Sequence, residues 1–367
     1  MTRFHFASTR DPDMLYLVQR QITDPFFFLE HEGQQRIFLS RTDIEAFQAE
    51  AGTEVEAVDV GPLLQQAAQA PGDRSANLAK LILEQYQVTG EVFVPSNFPY
   101  GLGQAVSQLV RLTELKSFCR ERGRKSPTEL VALRENAAHT KKAFALIEEI
   151  LTQSTIEDSV IIHDNKPLTS EFLKREVSKL LLEHDLVNTE GLIVSCAHQA
   201  AMPHHGGSGP LQAHQTIIVD IFPQSSTNHY FADMTRTYVK GEPSAKIQSM
   251  YTAVSAAKAE VLKVLKPGAS TRELYELSAQ VIRDHGFHVG ETGYTHSLGH
   301  GLGVAVHEAP SLSARSTEVL APGHVVTIEP GVYYLEIGGV RIEDTIVVTE
   351  TSHENLTNYP ENWLIPL

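Results

Sequence analysis

Three histidines, His296, His300 and His307, fall within one short stretch, HSLGHGLGVAVHE. Neutral imidazole nitrogens are what a bound metal or a polar substrate needs. His296 and His300 stand i, i+4 and would share a helix face, but Gly299, Gly301 and Gly303 make a helix costly. The stretch therefore reads as strand or loop, too polar for core, in which glycines let the backbone pass close to something bulky. The competing reading is a glycine-rich surface turn in a chain that carries 17 histidines.

Four carboxylates elsewhere decide between these readings. Asp220 closes the apolar run TIIVD, and Glu329 closes VVTIE just before Pro330 and Gly331; such runs read as buried strands. Glu343 lies in GGVRIEDTIVV, where alternation sets Val340, Ile342 and Ile346 against Arg341, Glu343 and Thr345. Asp233, in YFADMTRTY, alternates likewise with Thr235 and Thr237. Carboxylates in a strand-rich interior are costly unless paired or bound to a cation. Four negative charges are balanced by two divalent cations, with a histidine adding a neutral nitrogen, so the arithmetic closes on a two-metal site.

In the order Asp220, Asp233, His300, Glu329, Glu343, and in the contexts DMTRT, HSLGHGLG, HEAP, IEPGVYY and GGVRIEDT, the chain resembles the pita-bread metallopeptidases, and among them the prolidase and aminopeptidase P branch. The resemblance runs from about Ser126 to the C-terminal end. It implies an α/β (α+β) protein with a C-terminal pita-bread catalytic domain, residues 126–367, built of two similar halves. A smaller N-terminal α/β domain, residues 1–122, resembles that of prolidases only loosely.

By that resemblance Asp220 would chelate one metal, Asp233 and Glu343 would bridge both, and His300 with Glu329 would complete the second. Oxygen-dominated ligation favours Mn2+, with Co2+, Zn2+ or Fe2+ also fitting. A hydroxide held between the cations would be the nucleophile, and Glu329 would act as general base and return the proton to the leaving nitrogen. His204, His296 and His307 match the branch's outer histidines and would hold the substrate carbonyl. His205 is a rival for the role of His204. Arg341 would bind substrate or neutralise the cluster, Tyr333 would donate to the intermediate or simply pack, and Thr235 would orient Asp233. One departure stands out: where the family has a glycine and a small residue after the first aspartate, this chain has Phe222 and Pro223.

These residues must be positioned by a sizeable scaffold. At 367 residues and 42% hydrophobic content, the chain is long enough for two domains. A net charge of -15 argues against sequence-independent binding of nucleic acid or an anionic membrane. Cys119 and Cys196 are too few and too far apart for a disulfide framework. With no signal-like apolar segment in MTRFHFASTRDPD and no run of about 18 apolar residues, a soluble cytoplasmic protein is expected.

Along the chain, FFFLEHEGQQRIFL around Glu32 and Gly33 predicts a hairpin. Helices are expected at 42–50, 77–86 and 104–110, with a strand from Glu91. The run from Arg120 to Lys125 reads as a solvated linker. Ser126, Pro127 and Glu129 predict a capped helix to about Leu151. Helices at about 169–184 and 245–266 come next, and Ser270 with Glu273 forms a second capping box opening a helix to about His285.

The function implied is metal-dependent cleavage between an N-terminal residue and a following proline, either of dipeptides or of longer peptides, by a homodimer. The alternative is a metal-free or redirected relative, a creatinase-like hydrolase or a binding module, and the presence of all five ligands weighs against it.

Overall fold

Alternation in RFHFA, FFFLEH and QQRIFL builds the middle of a six-stranded sheet, in the order Glu56–Asp59, Gln34–Leu39, Phe26–His31, Arg3–Ala7, Glu91–Val94, Arg111–Glu114. Helices cover both of its faces, which is why FFFL is apolar without a break. Phe27 and Leu29 pack on one side with Leu78 and Ile82, while Phe26 and Phe28 pack on the other with Met14 and Phe118. The predicted hairpin turns at Glu32 and Gly33, both at positive φ, 54° and 77°, as a two-residue turn joining twisted strands requires.

The computed structural model describes residues 1–49 and 55–366. The chain divides into two units, Met1–Arg120 and Glu121–Leu367. In the first, helices span Arg41–Ala49 and Arg74–Gln85; Glu50, at the expected end of the former, lies outside the described residues. The helix expected at 104–110 is corrected to Tyr100–Val106, entered directly from Pro99. Beyond the helix the chain turns, with the Val110 amide bonding the Val106 carbonyl at 3.1 Å.

In the second unit the helix Pro127–Gln153 opens on the predicted capping box, Ser126 and Glu129 each bonding the other's backbone N–H. The box expected at Ser270 is half formed. Its hydroxyl accepts from the Glu273 amide at 3.3 Å, and among the described residues no return bond reaches the Ser270 amide. The linker reading of Arg120–Lys125 is overturned at its end, because Lys125 is 7% exposed and its ammonium lies 2.9 Å from Glu308 Oε2.

Two sheets carry the acidic residues. One, of four strands, runs Ile193–Cys196, Ile217–Ile221, Met234–Lys240, Leu364–Ile365; the other, of five, runs Glu308–Leu312, Gly299–Gly301, Val325–Ile328, Asp344–Val348, His353–Asn355. The helices Ala245–Val264 and Thr271–Asp284 bury Val254, Ala257 and Ile282 together with Val332, Val340 and Ile342 of the hairpin Gly331–Tyr334 with Gly338–Arg341. Among the described residues no helix is long and apolar enough to cross a membrane.

The histidine-rich stretch, read as strand or loop, is strand at Gly299–Gly301 and loop from Leu302 to His307, and within it Leu298 and Leu302 are fully buried. Its glycines serve close strand packing. A Cβ on Gly299 would sit 1.9 Å from the Thr327 carbonyl oxygen, so any side chain there would force the strands apart.

Candidate metal centre

The strand geometry delivers each acid to one place. Asp220 faces Thr235 in the antiparallel pairing of Ile217–Ile221 with Met234–Lys240, and Asp233 stands just before the latter strand. His300 is the middle of Gly299–Gly301, beside Val325–Ile328, which leads into Glu329. Glu343 sits between the strands ending at Arg341 and starting at Asp344, and its amide bonds the Thr235 carbonyl at 3.0 Å. Ligand atoms of Asp233, His300 and Glu343 all lie within 4.8 Å of one another. His300 Nε2 is 3.2 Å from Glu329 Oε1 and 3.8 Å from Asp233 Oδ2.

Hydrogen bonds fix the orientation of these groups. His300 Nδ1 donates to the Gly301 carbonyl at 3.1 Å, which aims Nε2 at the acids. Thr327, the one hydroxyl in VVTI, receives the His300 amide at 3.1 Å and donates to Glu329 Oε1 at 3.2 Å. Thr235 donates to Glu343 Oε2 at 2.6 Å; the expectation that its hydroxyl orients Asp233 is thereby corrected, because the bond goes to the acid brought beside it by the Glu343 amide's own bond to the Thr235 carbonyl. Arg341 binds Asp220 Oδ2 at 2.7 Å, the Tyr333 hydroxyl at 3.0 Å, Thr235 Oγ1 at 3.3 Å and the Pro203 carbonyl at 3.3 Å.

The electrostatics are those of a cation site. Burial first, then the charges of Glu343, Asp220 and Glu329, drive the Asp233 carboxyl well above its usual range. Burial and the neighbouring Glu329 and Asp220 do the same to Glu343. Asp220 is raised by burial against the pull of Arg341, and its Oδ1, fully buried, has no partner among the described residues. Glu329 is the exception: burial raises it, but the hydrogen bond and charge of His300 outweigh burial and bring it to about 2. Four carboxylates on one cavity, two of them driven upward by burial and then by one another's charge, and one with an unpartnered oxygen, are a donor set that could hold divalent cations.

All the histidines expected at the site except His205 line the same cavity of about 700 Å³, along with Glu190, Pro203, Phe222, Ser311 and Arg341. His204 and His307 are exposed at its rim, and the rings of His307 and His300 lie 4.2 Å apart. His205 turns away, its Nδ1 accepting from the Gly207 amide at 3.0 Å. His296 Nδ1 bonds the Ser297 carbonyl at 2.7 Å, so Nδ1 carries the proton, and the Tyr333 hydroxyl donates to Nε2 at 2.9 Å. Burial lowers the His296 pKa and keeps the ring neutral. Tyr333, pushed to about 12 by burial, thus joins His296 to Arg341.

Glu308, in HEAP, is structural. It accepts from the Ala305 amide at 3.0 Å, from Arg122 at 2.6 Å and from Lys125 at 2.9 Å, which ties down the loop carrying His307. Behind the acids, buried Arg236 bonds the Glu343 carbonyl at 2.6 Å and Asp344 at 2.8 Å, and Lys258 bonds Asp344 at 2.6 Å. Sequence reasoning passed over Thr327, Glu190, Ser311 and Arg236. Only Thr327 gave a signal, as a lone hydroxyl in a buried apolar run.

The model of metallopeptidase family M24 matches residues 132–350. A Xaa-Pro dipeptidase of Pyrococcus furiosus is 37% identical over 166 residues, 45% of this chain and 46% of that protein. An uncharacterized peptidase of Staphylococcus epidermidis is 32% identical over 236 residues, 64% of this chain and 62% of its own length. The chain thus spans about half to three-fifths of these relatives. Among solved structures, the Xaa-Pro dipeptidase from Bacillus anthracis has a TM-score of 0.81 at 25% identity, covering 100% of this chain and 95% of that one. The prolidase from Pyrococcus furiosus has a TM-score of 0.79 at 21% identity, covering 98% and 96%, a likeness of fold.

Proposed function

Because the chain belongs to metallopeptidase family M24, we propose that it hydrolyses the peptide bond between an N-terminal residue and a following proline, using two divalent cations held by Asp220, Asp233, His300, Glu329 and Glu343. The convergence of four acids and His300 on one cavity carries this reading, and the names of the similar Xaa-Pro dipeptidases support its proline direction. The oxygen-rich donor set favours Mn2+. Bound there, the cations supply positive charge that polarises the scissile carbonyl and acidifies water.

The chain's own residues do the rest. Glu329 is ionised at neutral pH and takes up the proton that the attacking water releases, then passes it to the leaving nitrogen. Its Oε1 is engaged by His300 and Thr327; Oε2 remains to receive the proton. His204 and His307, on the rim, donate to the substrate carbonyl and the oxyanion. His296 acts differently from the other two, because its Nε2 is committed to Tyr333; it positions the Tyr333 hydroxyl, and through it Arg341, against Asp220. Action in the cytoplasm as a homodimer belongs to the same proposal.

The test is product analysis of Ala-Pro-Ala and Ala-Ala-Ala incubated with Mn2+-loaded protein, each with a chelator control and a count of bound metal. Metal-dependent release of alanine from Ala-Pro-Ala alone is expected. Bound metal with no cleavage of Ala-Pro-Ala, nor of Ala-Pro incubated in parallel, overturns the reading.

A further inference from the structure

Glu343 stands in a break between two strand ladders. The pairing of Gly331–Tyr334 with Gly338–Arg341 ends at Arg341, and that of Val325–Ile328 with Asp344–Val348 begins at Asp344. Glu343 is 2% exposed, so its backbone groups need protein partners that neither ladder supplies. Thr235 and Arg236, consecutive on the strand Met234–Lys240, provide them. The Glu343 amide bonds the Thr235 carbonyl at 3.0 Å, the Thr235 hydroxyl holds Glu343 Oε2 at 2.6 Å, and Arg236 Nη1 donates to the Glu343 carbonyl at 2.6 Å. Glu343 is thereby turned into the cavity, while the next residue, Asp344, is turned away from it toward Lys258.

The guanidinium that grips this peptide is itself fixed. Nη1 also reaches the Thr235 carbonyl at 2.9 Å, and Nη2 bonds Asp344 Oδ1 at 2.8 Å and the Tyr359 carbonyl at 2.9 Å. A planar fork ties these segments together, and a compact ammonium cannot keep all four bonds. The charge is matched locally: Asp344 Oδ2 takes Lys258 at 2.6 Å, and Lys258 reaches Glu361 at 2.5 Å, so two cations meet two carboxylates. What Arg236 gives the cavity is therefore the placement of Glu343 rather than a net field.

We propose that Arg236 is a positioning residue of the cation site, fixing the Glu343 peptide so that its carboxylate meets the cations; the proposal rests on the dimetal reading above. The experiment is calorimetric titration of the metal-free protein with Mn2+, alongside kcat and KM on Ala-Pro-Ala and Ala-Pro. Arg236→Lys keeps the charge and loses the fork, whereas Arg236→Gln keeps a donor and loses the charge. Each should weaken Mn2+ binding by roughly 10- to 100-fold and lower kcat with KM little changed, and either one decides where the other does not fold. Lys258→Met alters the same network at a residue that bonds Asp344 and Glu361; it should lower the unfolding midpoint and leave Mn2+ affinity near that of the unaltered protein. Undiminished Mn2+ affinity in a folded Arg236 variant, or an equal loss in Lys258→Met, overturns the positioning role and leaves the dimetal reading standing. No Mn2+ binding by the unaltered protein overturns both. Mn2+ binding that depends on Arg236, with neither peptide cleaved, removes the proline reading and upholds the positioning role.

Discussion

The guanidinium of Arg341 reaches Asp220 Oδ2 at 2.7 Å and the Tyr333 hydroxyl at 3.0 Å, so a single buried cation couples the carboxylate proposed as a metal ligand to the phenol that His296 holds. A lysine has one compact charge and cannot reproduce this fork. Arg341→Lys should lower kcat/KM by roughly 10²-fold through misplacement of the site while the fold persists by circular dichroism. Near-normal turnover would show that charge alone suffices.

Glu343 reaches the same centre as Asp233 and His300. Glu343→Ala removes one ligand from each cation it would share, so bound metal should drop well below two per chain and hydrolysis should fall to background. The check pairs elemental analysis with the peptide assay; retained turnover with two metals bound would sink the ligand assignment.

Glu308 is nearly buried between Arg122 and Lys125, and both cations together with burial set its charge state, the cations holding the carboxyl below its usual range. Glu308→Gln strands two cations in the interior. A loss of about 3–5 kcal/mol in denaturant unfolding is expected, with activity declining as the His307 loop loosens. An unchanged unfolding midpoint would mean that the pair adds nothing.

In the first unit, Asp11 caps the helix Pro12–Val18, accepting from the Asp13 and Met14 amides at 3.0 Å. It also lies 3.3 Å from His5 Nε2 and accepts from Asn97 at 2.7 Å. Burial raises its pKa, but His5 and Asn97 prevail and bring it from 3.8 to about 2. A depressed carboxyl stabilises above its unfolded pKa, and that contribution disappears as pH falls from about 3.8 toward 2. Asp11→Asn keeps the cap and removes the charge. It should cost about 2 kcal/mol at pH 7 and almost nothing near pH 2; an equal cost at both would place the effect in the cap alone.

The acids were legible because each breaks a local rule: Asp220 and Glu329 end apolar runs that ought to be buried, and Glu343 interrupts a strand. The glycines of HSLGHGLG were legible too, since a Cβ on Gly299 would collide with Thr327. What stayed hidden depends on partners distant in sequence. Lys125 reads as linker until Glu308 is found beside it. Arg236 and Lys258 read as ordinary strand and helix charges until Asp344 brings them together. The hydroxyl of Thr235 reads as a partner of Asp233, two residues before it, until Glu343, 108 residues away, is found beside it. Helix ends were misjudged where proline set the start, as at Pro99.

Asp220 and Asp233 come from the four-stranded sheet, His300 and Glu329 from the five-stranded one. A cation that binds both groups is therefore a cross-link between two sheets, and by mass action it stabilises only the state in which both are formed. Chelation would then act as a mild denaturant of this protein as well as an inhibitor: metal withdrawal should lower the melting temperature and open the seam between the sheets to proteases, and restored metal should close it again.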